Sequence, residues 1–252
     1  MMIFSMGDFF HAAIYQPVYN ILVFFYNTVP GADFGVAIIL TTLLIKVLFI
    51  PLSKKQIESQ KKMQELQPMI KELQKKYKDD KEKQTKAMMD LYREHKTNPF
   101  SGCLPLIVQL IVLIAIYQVI IKISGAGFII NPADLYAFVN NPGAVNHLFL
   151  HFLDLTKPNY VLAFLSAIAQ YFQTKMLFQS QKVEKAPEKD SDGPDFATIM
   201  NKQMLYLGPG ITFFIGVTFP AALSLYWLVS TLFMIFQQMV IFKVKKDNAA
   251  TV

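Results

Sequence analysis

The chain has 252 residues, of which 53% are hydrophobic and 17% charged, with a formal net charge of +6. Soluble domains carry about 25% charged residues, so this composition indicates a membrane protein and argues against a soluble one. The basic residues lie in segments between apolar runs, and none precedes Lys46, which favours orientation in a membrane over binding of nucleic acid.

The first region, residues 1–34, is expected to be extracytoplasmic. Within residues 9–29, apolar side chains recur at helical spacing and are interrupted by Gln16, Pro17 and Asn20. No basic residue flanks this stretch, so it is interpreted as an amphipathic helix lying on the outer membrane surface. A membrane-spanning helix is the alternative that the sequence leaves open.

Five later stretches are candidates for transmembrane helices, each of which needs about 20 mostly apolar residues. The sequence is therefore predicted to form an all-α membrane protein whose five transmembrane helices pack into a bundle. Phe219-Pro220 is the natural break in the longest apolar run. The predicted spans are 35–52, 101–121, 158–178, 203–220 and 221–242.

The basic residues of the connecting segments predict the orientation of the bundle. Segment 53–100 carries thirteen Lys and Arg, 179–202 carries four, and the tail 243–252 carries three, whereas 122–157 carries two, both at its edges. The positive-inside rule places the three basic segments in the cytoplasm and 122–157 outside. The N-terminus is then expected outside the cell and the C-terminus in the cytoplasm.

Segment 53–100 is predicted to form an antiparallel helical hairpin. Residues 78–81 are typical of a turn, Pro68 is expected to kink the first arm, and Met88, Leu91 and Tyr92 supply the apolar face of the second arm. A solvated charged linker is the alternative. The first arm has apolar residues three or four positions apart, as in a coiled coil: Met63, Leu66, Ile70, Leu73 and Tyr77.

Lys46 is the most informative residue because it lies inside a predicted span. Lys54 at the cytoplasmic end is eight residues away, or about 12 Å along a helix, which is farther than a lysine side chain can reach. A charge in hydrocarbon costs roughly 2.5–3.5 kcal/mol or more. We therefore expect Lys46 and Thr42, one turn earlier, to face a hydrated polar cavity; simple hydrogen bonding between helices is the alternative.

The predicted spans contain no Asp or Glu, so an intramembrane salt bridge is not expected. Proton-coupled transporters usually rely on such a carboxylate, which argues against the alternative of a channel or secondary transporter. The other spans offer amides and hydroxyls as partners for the lysine: Gln109, Gln118, Ser166, Gln170, Gln173, Ser224, Tyr226, Ser230, Gln237 and Gln238.

Catalytic and metal-binding motifs are weak. His147, His151 and Asp154 have a spacing compatible with a metal site, but an outer-loop helix with scattered polar residues is the favoured interpretation. No His-Glu-x-x-His or Gly-x-Ser-x-Gly pattern is present, so the chain is not expected to be an enzyme. Cys103, the single cysteine, is expected to serve packing.

A set of short motifs, in this order along the chain, resembles the bacterial branch of the YidC/Oxa/Alb insertase family. No single motif is specific for the family, but the order of the motifs together with the five-span layout is specific. The motifs are Gln16-Pro17, 42–46, Pro51-Leu52, 63–68, Tyr92, Asn98-Pro99, 102–109, Phe219-Pro220, 225–227 and Gln237-Gln238.

The resemblance implies a hydrophilic groove that is open to the cytoplasm and to lipid but closed to the outside. Lys46 stands where the family places a basic residue, usually Arg, and Tyr226 and Trp227 match its aromatic substrate contacts. The groove draws in the short outer tail of a substrate whose apolar helix slides along 158–178 and 222–242. The expected groove residues are Lys46, Thr42, Gln109, Gln170, Gln173, Tyr226 and Trp227.

The resemblance further implies a multi-pass protein of the bacterial inner membrane. It would insert and help to fold nascent membrane proteins, alone or with the Sec translocon. The ribosome and the signal recognition pathway would contact 54–96 and 179–202. No cofactor, metal or specific DNA partner is expected. One departure from the family is Ala221 after Phe219-Pro220, where a glycine is common.

The size of the predicted hairpin generates a first prediction. Its net charge is +5 (thirteen basic minus eight acidic residues), which suits docking by charge attraction. Deleting 60–92 should leave the five spans intact but impair insertion in cells. The measurement is complementation of an insertase-depleted strain, and unchanged complementation would count against a functional hairpin.

Overall fold

The computed structural model describes residues 6–98, 104–179 and 196–249, and it is mostly helical. Cys103 and most of the predicted loop 179–202 lie outside the described residues. The α-helices are α1 (Met6–Phe10), α2 (Gln16–Thr28), α3 (Phe34–Leu48), α4 (Ile50–Glu65), α5 (Gln67–Lys76), α6 (Lys81–Glu94), α7 (Leu104–Gly125), α8 (Tyr160–Gln179), α9 (Phe196–Thr218) and α10 (Ala221–Ala249).

Two of the described helices are long and apolar enough to cross a membrane, in the ranges 107–125 of α7 and 221–241 of α10. A third span results if α3 and the first part of α4, which are bent by 64° at Phe49, count as one. The apolar part of α9 is shorter, and Gln170, Gln173 and Lys175 make α8 more polar. The chain is accordingly an all-α membrane protein with two to three candidate spanning helices.

The N-terminal helices are held to the rest of the protein by apolar packing and by the hydrogen bonds of a buried asparagine. A π-helical turn, His11–Tyr15, joins α1 to α2, and the apolar side of α2 packs against α3 and α7. Asn20 is buried, donates its Nδ2 to the Asp134 carbonyl oxygen over 2.8 Å, and accepts from the Tyr136 N–H over 2.6 Å. The polar residue that interrupts this apolar segment is therefore an anchor for the loop between α7 and α8.

The loop between α7 and α8 contains a small antiparallel pair, β1 (Leu148–Phe149) and β2 (Leu153–Asp154), with Phe149 opposite Leu153. The prediction that this loop contains a helix with scattered polar residues is therefore wrong. His147 and His151 do not share a helical face, and no group of three potential metal ligands occurs in the described ranges 6–98, 104–179 and 196–249. The hairpin forms because Leu150 adopts a positive φ of 52° and its N–H donates to Asp33.

Asp33 connects this hairpin to the bundle. One carboxylate oxygen accepts from the Val36 N–H over 3.0 Å, which caps the N-terminus of α3, and the other accepts from the Leu150 N–H over 2.6 Å. Helix N-termini leave N–H groups unsatisfied, and a carboxylate there is favourable. Gly35, the second residue of α3, lies directly against the Phe149 ring, where a Cβ would overlap the ring atoms.

The same loop also caps α10. The Ala221 and Ala222 N–H groups donate to the carbonyl oxygens of Lys157 and Leu155 over 2.9 and 3.1 Å. Next to them, Asp154 accepts from both the N–H and the hydroxyl of Thr156. Burial raises the pKa of Asp154, but these hydrogen bonds and Lys157 outweigh burial and hold the pKa below its ordinary value. The loop thus fixes the first turns of α3 and α10 together.

Helices α8, α9 and α10 approach closely at small residues. The Ser166 hydroxyl of α8 donates to the Ser224 carbonyl oxygen of α10 over 3.0 Å. A Cβ at Gly216 of α9 would lie 2.6 Å from the Ala163 Cβ of α8, so only glycine permits this spacing. Small residues and hydroxyl bonds are how membrane helices associate, since lipid supplies no hydrophobic drive between them.

Helices α5 and α6 pack against each other beside a break in the first arm. The break falls at Leu66, and Pro68 occupies the first turn of α5, where its missing N–H costs nothing. Asp80 caps α6 by accepting from the Lys83 N–H over 3.0 Å. The Gln84 side chain then donates to the Gln74 carbonyl oxygen over 3.0 Å, which ties the two helices together.

Gly35 provides a test of the packing between α3 and the loop hairpin. Gly35→Ala should lower the unfolding free energy by roughly 1–3 kcal/mol, because the added methyl group overlaps the Phe149 ring and overpacks the contact. Thermal unfolding of the purified protein in detergent measures this. Gly125→Ala is the matched control, since a Cβ there meets nothing within 4 Å. An unchanged melting temperature for Gly35→Ala contradicts the packing.

Candidate functional site

Lys46 lies near the end of α3 and is buried, with 9% of its surface exposed. Its Nζ donates to the Oε1 of Gln109 on α7 over 2.9 Å. A cation removed from water is costly unless polar groups solvate it. The amide oxygen of Gln109 supplies that solvation, so the sequence-predicted lysine and glutamine are neighbours in the folded chain.

Gln109 extends the contact to α10. Its Nε2 donates to the Tyr226 hydroxyl over 3.1 Å and to the Ser230 Oγ over 3.0 Å, and its Oε1 accepts from Ser230 over 3.2 Å. Tyr226 is 0% exposed, so its hydroxyl meets this network rather than solvent. Lys46, Gln109, Tyr226 and Ser230 form what we call the lysine cluster, which links α3, α7 and α10.

A small cavity adjoins the lysine cluster, with a volume of about 20 Å³, room for one water molecule. Thr42 lines it, but the Thr42 hydroxyl is already bonded to the Ile38 carbonyl oxygen over 2.7 Å. None of the described residues that line the cavity is acidic. The lining residues are Thr42, Ile45, Lys46, Phe49, Ser53, Gln56, Val108, Gln109, Val112, Tyr226 and Met234.

Gln170, Gln173 and Trp227 form a separate polar group between α8 and α10. The Trp227 Nε1–H donates to Gln170 Oε1 over 3.2 Å, and Gln170 Nε2 donates to Gln173 Oε1 over 3.1 Å. Gln173 Nε2 lies 2.8 Å from the Met234 sulfur, and Met234 also lines the cavity. We call these four residues the glutamine cluster.

The seven sequence-predicted groove residues fall into two groups in the structure: three belong to the lysine cluster and one, Thr42, lines its cavity, while the other three belong to the glutamine cluster. Lys46, Thr42, Gln109 and Tyr226 meet at one side of α10, and Gln170, Gln173 and Trp227 meet at another. Tyr226 and Trp227 diverge because successive residues of a helix point about 100° apart. Met234 connects the two groups, because its sulfur contacts Gln173 and its side chain lines the cavity beside Lys46.

Sequence reasoning missed three residues of the site: Ser53, Gln56 and Met234. Gln56 is ten residues beyond Lys46, so a straight helix would separate the two Cα atoms by about 15 Å. The 64° bend between α3 and α4 brings Gln56 back over the cavity. In the sequence, the motif Pro51-Leu52 beside the bend is the signal for a change of direction, but it does not predict the angle between α3 and α4.

The site offers a ligand hydrogen-bond donors and one positive charge. Lys46 and Gln56 bring donor groups to one cavity, which suits oxygen acceptors such as carboxylates and carbonyls and disfavours cations. Neither cluster pairs a nucleophile with a general base in the way that covalent catalysis requires.

Comparison with known proteins gives matches over most of the chain. The family described as 60Kd inner membrane protein matches residues 24–248. A relative from Pelobacter propionicus, named membrane protein insertase YidC, is 35% identical over 234 residues, which are 93% of this chain and 39% of the relative. One of the same name from Francisella tularensis subsp. novicida is 36% identical over 212 residues, 83% of this chain and 32% of the relative.

A shorter relative is matched almost end to end. The protein named membrane protein insertase YidC from Fusobacterium nucleatum subsp. nucleatum is 34% identical over 232 residues, which are 91% of this chain and 97% of that relative. The chain therefore spans nearly all of this relative and about two fifths or less of the two longer ones.

Gln109 is the residue whose loss should damage the lysine cluster most. Gln109→Leu leaves a buried ammonium without its amide acceptor, so we expect a loss of roughly 1–3 kcal/mol in unfolding free energy. Thermal unfolding in detergent is the measurement, with Gln118→Leu on the same helix as control. A double-mutant cycle with Lys46→Met isolates the pair. Strictly additive effects of the two changes would refute direct coupling.

Proposed function

Because the chain belongs to the 60Kd inner membrane protein family, we propose that it acts as a membrane protein insertase, binding the polar tail of a substrate at the lysine cluster. The observation that carries the proposal is the buried Lys46, which is bonded to an amide beside a cavity whose described lining residues include no acidic one. Ionisable groups within membrane bundles are usually functional, because they are costly to keep there.

The charge of Lys46 gives the first step of the mechanism. A short acidic or polar tail is attracted towards the ammonium, since charges interact more strongly in a low-dielectric bundle than in water. Gln109 keeps the cation in place through its hydrogen bond. Binding at the cavity replaces part of the tail's hydration and so lowers the barrier to its entry into the bilayer.

The apolar surface of α8 and α10 gives the second step. Exposed apolar side chains on α8 recur three or four positions apart, and α10 has a similar row. A substrate helix that leaves the site would lie against these rows and pass into lipid, which is equally apolar. The exposed residues are Val161, Phe164, Leu165, Ile168 and Phe172 on α8, and Leu232, Phe236, Met239 and Val240 on α10.

The proposed arrangement in the membrane has five spans, with the N-terminus outside and the C-terminus in the cytoplasm. The support is the charge distribution: thirteen basic residues in 53–100 against two in 122–157. Helices α8 and α9 would complete the five spans, packed on α10 by their small residues. Polar residues of α8 then face α10 instead of lipid.

Nascent membrane proteins and the lipid bilayer are the proposed partners of the bundle. The basic α5–α6 hairpin would serve as the contact for the ribosome and the signal recognition pathway, by charge attraction. Association with the Sec translocon is part of the same proposal, because the apolar faces of α8 and α10 are exposed. No cofactor or metal is part of the proposed mechanism.

Charge reversal at Lys46 tests the proposed function. Lys46→Glu should slow insertion of a single-span substrate with an acidic tail about tenfold, or roughly 1.4 kcal/mol, because attraction becomes repulsion. Lys46→Arg should keep the rate of the wild type, since the charge remains. The measurement is the initial rate of insertion into liposomes that contain the purified full chain.

Lys122→Glu is the control for this experiment, because it makes the same charge change at an exposed residue of α7 that does not line the cavity. Its melting temperature is measured as well, since the Lys122 ammonium lies 4.1 Å from the centre of the Tyr15 ring. We expect its insertion rate to stay near that of the wild type. Full activity of Lys46→Glu would defeat the proposal that the buried charge attracts the tail.

A further inference from the structure

Gln56 lies on α4, just past the bend that follows α3, and lines the cavity of the lysine cluster. It is 6% exposed. Within the described part of the chain, its Nε2 is buried and has no hydrogen-bond partner. An unpaired buried donor lowers stability, and such groups in native proteins call for an explanation.

The neighbours of Gln56 differ from it in this respect. Gln109, Tyr226 and Lys46 are bonded to one another or to Ser230, and Thr42 is bonded within its own helix. The fold therefore uses the amide donors of Gln109 and the hydroxyl donor of Thr42, whereas the Lys46 ammonium has three donors and gives one of them to Gln109. The amide of Gln56 therefore provides, in a residue that lines the cavity, a buried donor that the described part of the chain leaves unused.

The ligand class follows from the chemistry of the lining. A glutamine amide donor and an ammonium both require an acceptor oxygen, and no acidic residue is present among the described lining residues to attract a cation. The cavity, of about 20 Å³, admits a single acceptor group rather than a length of chain. A carbonyl or carboxylate oxygen of a polar peptide fits these requirements.

We infer that Gln56 is a substrate-contacting residue, whose amide donates a hydrogen bond to an oxygen of the inserting tail while that tail is beside Lys46. This inference rests on the proposed function. It assigns to α4, the helix after the bend, a direct part in holding the tail. The two donors differ in selectivity: the ammonium favours a negatively charged oxygen, whereas the amide N–H also donates to a neutral oxygen, although more strongly to a charged one.

The test uses the full chain in liposomes and two single-span substrates. One carries Asp and Glu in its tail, and its twin carries Asn and Gln at the same positions. Gln56→Leu should slow insertion of both substrates about threefold or more, whereas Lys46→Met should slow mainly the acidic one. If Gln56→Leu slows only the acidic substrate, the acceptor is a carboxylate; equal slowing identifies a carbonyl. If it slows neither, the inference is overturned.

Two further measurements separate contact from a merely structural role. Because it removes an unpaired buried donor, Gln56→Leu should melt at the same temperature as the wild type or higher, yet insert more slowly. Gln118 is a half-buried glutamine of α7 that does not line the cavity, so Gln118→Leu should leave the insertion rate unchanged. A Gln56→Leu protein that both melts lower and inserts more slowly, in proportion, would assign Gln56 to folding and overturn the inference.

Photocrosslinking of the wild type keeps the inference testable whatever the variants do. A diazirine amino acid in the substrate tail should label the tryptic peptide 56–61, which begins at Gln56. Labelling confined to other segments would overturn the contact. If the wild type inserts neither substrate, the proposed function is refuted, and the inference about Gln56 is refuted with it.

Discussion

The hydrogen bond between the Lys46 ammonium and the Gln109 amide oxygen is the contact on which the arrangement of the bundle depends. A buried cation requires a polar partner, and Gln109 meets that need while its other donors reach Tyr226 and Ser230. One charge therefore links α3, α7 and α10 inside the bundle, in addition to the loop that holds the first turns of α3 and α10. Membrane helices lack a hydrophobic drive to associate, so such bonds and close packing at small residues set their register.

Helix α8 is apolar on its exposed face, with Phe164 and Phe172 among its most exposed residues, while Gln170 and Gln173 bond towards α10. This distribution would be unfavourable in water, where large exposed apolar patches promote association. It suits a bilayer, in which polar groups must find partners inside the protein. The same principle accounts for both polar clusters on α10, each of which is closed by bonds between side chains.

The sequence predicts the helical class and much of the lysine cluster, because hydropathy and a lone cation are local signals. It paired Lys46 with the amides and hydroxyls of other spans, among which Gln109, Tyr226 and Ser230 are its neighbours. It did not predict Gln56, because the angle of the α3–α4 bend depends on packing. The loop hairpin was also missed, since Leu150 adopts a positive φ that no local residue preference predicts.

The absence of acidic residues among those described as lining the cavity has a consequence for how far Lys46 acts. A carboxylate partner would convert the site into an ion pair, whose field declines more steeply with distance than that of a single charge. Amide and hydroxyl dipoles solvate the ammonium without cancelling its monopole. Under the proposed function, and because salt screens buried charges weakly, Lys46 would attract an approaching tail before the two are in contact, so that substrates would be selected by charge during encounter as well as by their fit to the cavity.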